Sequence, residues 1–166
     1  MTKAVYFNHG LESGPWGDKI TALAKVARGR GYQAESLNYT GIADPAERLL
    51  LLLASDAARA SSLILVGSSL GGWVAAAASE ALRPRALFLL APAFYLPDFP
   101  AADPFPHAER VDLLHGWNDE VIPFSHSVRY AQKFRANLHV LDSDHRLSSS
   151  LPLISDLFGG FLDSMR

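Results

Sequence analysis

The chain has 166 residues, which favours a single domain, and 49% of them are hydrophobic, enough to form a buried core. Its formal net charge of −2 offers no basic surface to a polyanion, so we expect no nucleic-acid partner. There is no cysteine, which excludes disulfide bonds, thiolate metal ligands and a cysteine nucleophile.

No targeting or membrane-spanning segment is evident in the sequence. Only four apolar residues separate Lys3 from Asn8, far fewer than a signal peptide needs. The longest apolar runs, residues 49–54 and 86–97, are too short or too interrupted by proline to cross a bilayer. We therefore expect a soluble cytoplasmic protein that does not bind membranes.

Short apolar segments alternate with helical patterns along most of the chain. The predicted strands are Ala4–Asn8, Gln33–Leu37, Ser62–Val66, Ala86–Leu90, Val111–His115 and Leu138–Leu141. The predicted helices are Lys19–Arg30, Pro45–Ala60, Leu70–Leu82, Phe124–Arg135 and Leu151–Met165. This alternation is typical of an α/β protein in which helices cover both faces of a parallel sheet.

The connection from Pro92 to Arg110 breaks the alternation. It holds five prolines and four phenylalanine or tyrosine residues, without a helical period. Because it leaves the carboxyl end of a strand, we interpret it as a lid-like loop or pocket wall, with Phe94 and Tyr95 as substrate-binding candidates. The alternative is that its aromatic side chains only cover the edge of the sheet.

The pentapeptide Gly67-Ser68-Ser69-Leu70-Gly71 lies between the third predicted strand and the third predicted helix. A G-x-S-x-G sequence in this context is typical of a nucleophile elbow, a tight turn that exposes a serine hydroxyl. Ser69 is the candidate nucleophile because it, unlike Ser68, has glycine two residues away on both sides. The helix that follows directs its first N–H groups toward the same place, where they can stabilise an oxyanion.

Further polar residues follow the other strands where each one ends, at the edge where parallel sheets bind their ligands. They lie in residues 8–15, 116–119 and 142–145. Asp119 follows the fifth strand closely, and His145 follows the sixth. The chain order Ser69, Asp119, His145 is that of α/β-hydrolases.

Other residues compete for the acid and base roles. The alternative acids are Asp98, Asp103, Asp142 and Asp144, of which Asp142 is the second choice. The alternative bases are His9, His107, His115, His126 and His139. Two of them, His9 and His115, precede glycine at strand ends and are interpreted as structural residues that hydrogen-bond neighbouring loops.

The chain resembles the small single-domain α/β-hydrolases that include the YqiA-like esterases and the retinoblastoma-binding-protein-like serine hydrolases. The matching segments are His9-Gly10-Leu11, Ser13-Gly14-Pro15 with Lys19, residues 67–72, residues 115–123, and Asp144-His145. The resemblance implies a truncated three-layer fold of about six strands in the order 2-1-3-4-5-6. The usual initial antiparallel pair is missing, because the first strand already carries the His-Gly loop.

Acyl-transfer chemistry then assigns the roles. Ser69 is the nucleophile, His145 the general base, and Asp119 the residue that orients the imidazole. The backbone N–H groups of Leu11 and Leu70 are the expected oxyanion hole. Two further substrate-binding candidates, Trp16 and Trp117, join Phe94 and Tyr95 around an apolar pocket.

We therefore expect a serine hydrolase that cleaves a small ester or thioester through an acyl-enzyme. It would need no cofactor and no metal, and would act as a monomer or homodimer. An amidase or peptidase with the same triad is an alternative, as is a non-catalytic binding module on the same scaffold. The G-x-G-x-x-A match at residues 29–34 ends a helix and precedes a strand, the reverse of a dinucleotide site.

Overall fold

The computed structural model describes residues 2–166. Its strands are β1 (Lys3–Asn8), β2 (Gln33–Ser36), β3 (Ser62–Ser68), β4 (Ala86–Leu90), β5 (Arg110–Gly116) and β6 (Asn137–Leu141). Its helices are α1 (Asp18–Arg28), α2 (Pro45–Leu53), α3 (Leu70–Leu82), α4 (Phe124–Phe134) and α5 (Leu151–Asp163). Short 3₁₀ turns span Asp56–Arg59 and Ser148–Ser150.

The six strands form one sheet in the order β2-β1-β3-β4-β5-β6, and every neighbouring pair is parallel. The predicted strand order is therefore confirmed. Parallel pairing brings the carboxyl ends of β1, β3, β5 and β6 to one edge of the sheet, because each crossover returns the chain to the same starting side. The loops carrying the candidate site residues all leave from that edge.

Alternating side chains build a core on each face of the sheet. On β3, Ile64 and Val66 face one core, which α1 and α5 complete. The neighbouring Leu63 and Leu65 face the other core, with helices α3 and α4 over it. Strands buried on both faces explain why the sequence shows continuous apolar runs rather than an alternating polar pattern.

The predicted second helix is shorter than expected. Asp44 caps α2 by accepting a 3.0 Å hydrogen bond from the N–H of Ala46, but the helix ends at Leu53. Ser55 then caps the separate 3₁₀ turn, with its hydroxyl accepting from the N–H of Ala57. A serine side chain that bonds the local backbone competes with continuation of a helix.

No helix within residues 2–166 combines the length and the apolar character needed to cross a membrane.

Candidate active site

Ser69 lies on a strained turn between β3 and α3. Its backbone φ of 55° and ψ of −117° place a non-glycine residue in a region that costs conformational energy. The turn can form because residues 67 and 71 are glycines and have no Cβ. A Cβ on Gly67 would collide with the carbonyl of Gly71, and one on Gly71 would collide with the carbonyl of Asn8. The N–H of Ser69 donates a 2.9 Å hydrogen bond to the carbonyl of Leu90, which ties the turn to the end of β4.

The structure brings Ser69, His145 and Asp119 into one hydrogen-bonded chain. Ser69 Oγ lies 3.2 Å from His145 Nε2, and His145 Nδ1 lies 2.7 Å from Asp119 Oδ2. Because the carboxylate can only accept, Nδ1 carries the proton and Nε2 is free to accept from the serine hydroxyl. The arrangement is that of a nucleophile, a base and an orienting acid.

Asp119 is held in its charged form by several donors. Burial raises the cost of its charge, but hydrogen bonds from the N–H of Ile122, from His145 and from the N–H of Val121 outweigh that cost and lower its pKa. The two backbone bonds, at 2.8 and 2.9 Å, both reach Oδ1. This leaves Oδ2 for side-chain donors.

A second histidine also contacts that oxygen. His115, fully buried at the end of β5, places Nε2 3.0 Å from Asp119 Oδ2 and 2.8 Å from the carbonyl of Ile122. Its Nδ1 lies 2.7 Å from the Ser127 hydroxyl. Two acceptor oxygens near Nε2 assign the proton to that nitrogen, so His115 donates to the carbonyl of Ile122 with the Asp119 carboxylate beside it, while Ser127 donates to Nδ1.

The loop after β1 packs directly against the nucleophile. A Cβ on Gly10 would lie 3.5 Å from Ser69 Cβ, so this loop and the start of α3 flank the hydroxyl together. Within residues 2–166, neither the N–H of Leu11 nor that of Leu70 donates a hydrogen bond to a protein acceptor. Both N–H groups are therefore free to donate, and an oxyanion hole needs two such donors.

A buried polar cluster lies behind this loop. It consists of Asn8, His9, Tyr39 and Arg48, all 1% exposed or less. The Tyr39 hydroxyl donates to Asn8 Oδ1 at 2.6 Å, and the Tyr39 N–H donates to His9 Nε2 at 2.8 Å. The second bond assigns the proton of His9 to Nδ1, which donates to the carbonyl of Gly10 at 2.7 Å.

Lys19 is a cation beside the nucleophile turn. Its Nζ donates to Ser68 Oγ at 3.1 Å. Burial lowers the pKa of Lys19 to about 8, although nearby Asp144 and Asp119 favour its charge and Arg146 opposes it. No carboxylate within residues 2–166 forms an ion pair with this ammonium group.

The substrate-binding candidates divide into two groups. Trp16 and Trp117 are 46% and 55% exposed and follow β1 and β5 at the active-site edge of the sheet. Phe94 is fully buried and stacks on Tyr130 with ring centroids 3.9 Å apart, so the structure corrects its placement on a pocket wall. Tyr95 is partly exposed and donates to Asp103 Oδ2 at 3.1 Å.

Residues 92–110 are anchored to α3 and α4. Trp73 Nε1 donates to the carbonyl of Ala101 at 2.8 Å, and the Tyr130 hydroxyl donates to the carbonyl of Pro104 at 2.6 Å. His126 Nδ1 donates to the carbonyl of Phe94 at 2.8 Å. Phe94 belongs to the core that α3 and α4 cover, and Phe99 packs against that core.

The competing acids and bases are engaged elsewhere. Asp103 accepts from Lys133, and Asp144 caps the turn at Leu147 from an exposed position. Asp142 is exposed and accepts from Asn118 at 3.2 Å.

Among the histidines, His139 lies 3.3 Å from Asp112, while the backbone N–H of His107 donates to Ser79. Sequence reasoning missed the contact between His115 and Asp119, and it missed Arg48 altogether.

Comparison with known proteins gives consistent matches. A model of the alpha/beta hydrolase family matches residues 8–160. A Xanthomonas campestris pv. campestris protein assigned to the alpha/beta hydrolase superfamily superimposes with a TM-score of 0.88. It is 34% identical in sequence, and the match covers 98% of this chain and 99% of that chain. No curated protein sequence matches the chain significantly.

Two more distant structures share the fold. The ydeN gene product of B. subtilis superimposes with a TM-score of 0.80 at 23% identity, covering 98% of this chain and all of that chain (100%). A further X. campestris protein, described as an a/b serine hydrolase without a lid, gives 0.74 at 19% identity, covering 99% and 84%. At such identities the likeness extends to the fold alone.

Proposed function

The chain belongs to the alpha/beta hydrolase family, and we propose that it is a serine hydrolase that cleaves small carboxylic esters or thioesters. The observation that carries this proposal is the continuous hydrogen-bonded chain from Ser69 Oγ through His145 to Asp119. A binding module would have no physical need for a strained serine, a correctly oriented imidazole and a buried carboxylate at one sheet edge.

In the first half of the proposed reaction, Ser69 Oγ attacks the carbonyl carbon of the substrate. His145 Nε2 takes the hydroxyl proton as the new C–O bond forms. The tetrahedral oxyanion accepts hydrogen bonds from the N–H groups of Leu11 and Leu70. Its collapse breaks the bond to the leaving alcohol or thiol, which receives the proton from His145, and an acyl-enzyme remains on Ser69.

In the second half, water replaces the alcohol. His145 takes a proton from the water as its oxygen attacks the acyl carbon, and the same two N–H groups hold the second oxyanion. Breakage of the bond to Ser69 returns the proton to the serine and releases the carboxylic acid. Throughout, Asp119 keeps the proton on His145 Nδ1 and stabilises the imidazolium that forms twice per turnover.

The preference for small substrates rests on the surface around Ser69. Residues 92–110 pack on α3 and α4, so in this proposal they form a fixed part of a single domain rather than a mobile lid. The exposed rings of Trp16 and Trp117 remain to contact an acyl or alcohol group from the two sides of the site. Such an open arrangement favours short, water-soluble esters over long lipids, which need an extended apolar cavity.

The test is hydrolysis of p-nitrophenyl acetate, butyrate and octanoate by the wild type, Ser69→Ala and Ser68→Ala. We expect turnover that falls with octanoate and is lost, by about 10³-fold or more, only in Ser69→Ala. Ser68→Ala is the matched control, since it removes a hydroxyl from the same turn. Equal activity in Ser69→Ala would sink the nucleophile assignment.

An amidase or peptidase would use the same three residues. Parallel rates on an ester and the amide with the same acyl group separate the two, and we expect the ester to react faster. Absence of any ester turnover, together with no fluorophosphonate labelling of Ser69, would favour the binding module instead.

A further inference from the structure

Arg48 is a fully buried cation that the proposed reaction does not use. Arginine stays protonated in proteins, and an isolated buried charge is costly unless other groups compensate it. No carboxylate within residues 2–166 pairs with this guanidinium, which lies 5.0 Å from the Tyr39 ring centroid. Its hydrogen-bond partners are backbone carbonyls, so carbonyl oxygens rather than a carboxylate compensate its charge.

Two of those carbonyls belong to the loop that adjoins Ser69. Arg48 Nη1 donates to the carbonyl of His9 at 2.6 Å, and Nη1 and Nη2 reach the carbonyl of Gly10 at 3.4 and 3.3 Å. The same Gly10 carbonyl accepts from His9 Nδ1 at 2.7 Å. Both lone pairs of one carbonyl oxygen are therefore engaged by donors on the buried side of the loop.

The orientation of this carbonyl determines the orientation of the next N–H. The carbonyl of Gly10 and the N–H of Leu11 share one peptide unit, and the peptides of residues 2–166 are all trans. In a trans peptide the C=O and N–H bonds point in opposite directions. With its oxygen held by Arg48 and His9, the peptide directs its N–H away from those two buried side chains, and Gly10 itself abuts Ser69.

We infer that Arg48 and His9 are positioning residues for the oxyanion hole, which they build by clamping the Gly10–Leu11 peptide from behind. The inference rests on the proposed function. The clamp fixes the donor before the oxyanion forms, so no reorganisation is needed during the reaction. The guanidinium also withdraws electron density from the carbonyl end of the peptide, which makes its N–H a stronger donor because hydrogen bonds polarise one another.

The test compares Arg48→Met, Arg48→Lys and Tyr39→Phe with the wild type. Methionine removes the hydrogen-bond donors but keeps an apolar side chain of similar length. Lysine keeps the positive charge but lacks the paired donors of the planar guanidinium. Tyr39→Phe removes a hydrogen bond of the same cluster that does not reach Gly10. Active sites are counted by end-point fluorophosphonate labelling. We then measure kcat per labelled site, KM for p-nitrophenyl acetate, and the affinity for a trifluoromethyl ketone, whose adduct carries an oxyanion.

For Arg48→Met, kcat per labelled site and ketone affinity should fall together by about 10–100-fold, while KM changes by less than about threefold. Arg48→Lys should lie between Arg48→Met and the wild type. Tyr39→Phe should lower Tm but keep kcat per site within about twofold. An Arg48→Met protein that folds and keeps wild-type kcat per site and ketone affinity would overturn the inference.

A second pair of variants and a wild-type measurement cover the case in which Arg48→Met does not fold. His9→Asn keeps a donor near the position of Nδ1, whereas His9→Ala removes it, so kcat per site should fall only in His9→Ala. Equal values in the two variants would contradict the clamp.

In the wild type, the Leu11 amide proton should move downfield when the trifluoromethyl ketone binds, and an unmoved resonance would overturn the inference without any variant. If Ser69→Ala retains activity, the proposed function fails. If Ser69→Ala is inactive and the clamp variants are unaffected, only the clamp fails.

Discussion

Two buried histidines flank the candidate site, and they use opposite ring nitrogens. Each precedes a glycine at the end of a strand, His9-Gly10 after β1 and His115-Gly116 after β5. His9 donates from Nδ1 to the carbonyl of Gly10, whereas His115 donates from Nε2 to the carbonyl of Ile122 and lies 3.0 Å from the carboxylate of Asp119. Burial lowers the pKa of both rings, so both are neutral and each tautomer is set by its neighbours.

The same His-Gly sequence pattern therefore serves two chemical tasks in this protein. On the β1 side the histidine and Arg48 hold a peptide, so the group presented to substrate is a backbone N–H. On the β5 side the histidine lies beside Asp119, which accepts hydrogen bonds from His145 and two backbone N–H groups, so the group being stabilised is a charge. Loss of the first cluster should therefore affect oxyanion binding, and loss of the second should affect proton transfer.

The largest effect on the β5 side is expected from Asp119→Asn. An amide in place of the carboxylate can donate to His145 Nδ1 and thereby favour the tautomer that cannot accept the Ser69 proton. We expect kcat to fall by about 10⁴-fold, with little change in KM. Kinetics on p-nitrophenyl acetate measure this effect, and thermal unfolding shows whether the variant remains folded. A loss smaller than about tenfold would mean that Asp119 is not the orienting acid.

A smaller and more selective effect is expected from His115. His115→Gln can keep a donor near the position of Nε2, whereas His115→Asn keeps only the position of Nδ1, beside Ser127. Loss of the N–H that lies 3.0 Å from Oδ2 makes the Asp119 carboxylate more basic, so the acid limb of the kcat/KM profile should move to higher pH in His115→Asn by about half a unit.

Lys19, whose charge is felt by Asp119, and the groups that act on Lys19, Asp144 and Arg146, are unchanged in both variants. His115→Gln should therefore keep the wild-type acid limb. If the acid limbs of the two variants coincide, His115 does not influence the basicity of Asp119. Long-range ¹H–¹⁵N spectra of the wild type test the comparison directly, because they should show His9 as Nδ1–H and His115 as Nε2–H.

The smallest expected effect concerns Lys19, which donates a hydrogen bond to the Ser68 hydroxyl beside the nucleophile. Burial lowers its folded-state pKa to about 8, from the ordinary value near 10.5. Below pH 8 the lysine is charged in both states and its burial penalty is fully present. Between pH 8 and 10.5 the unfolded chain binds more protons, so the penalty is relieved as pH rises.

Lys19→Met should accordingly raise the free energy of unfolding at pH 7 by about 1–3 kcal/mol, and the gain should disappear by about pH 10.5. Urea titrations of both proteins at pH 7, 9 and 10.5 measure the difference. A destabilised Lys19→Met protein at pH 7 would mean that the contact with Ser68 outweighs the desolvation of the ammonium group.

The sequence predicts the candidate site best where the function requires a particular residue type. The G-x-S-x-G turn and the positions of Asp119 and His145 after β5 and β6 locate the candidate triad, because parallel strands bring their carboxyl ends together. The order of the strands came from the family resemblance. Phe94 was placed wrongly because a proline-rich aromatic segment can pack outward against substrate or inward against helices, and apolar composition favours neither.

The role of Arg48 could not be predicted from the sequence, since its partners are backbone carbonyls that every residue possesses. The His-Gly pairs were visible, but their tautomers depend on partners far along the chain, such as Tyr39 for His9 and Ser127 for His115. Contacts of this kind are fixed by packing in three dimensions rather than by local pattern.

Ser69 is proposed as an activated nucleophile, and peptide mapping after fluorophosphonate labelling examines this role without relying on a chosen substrate. The probe reacts with serine hydroxyls that a neighbouring base activates. We expect one adduct on Ser69 in the wild type and in Ser68→Ala, and none in Ser69→Ala. An adduct on Ser68, or labelling that persists in Ser69→Ala, would contradict it.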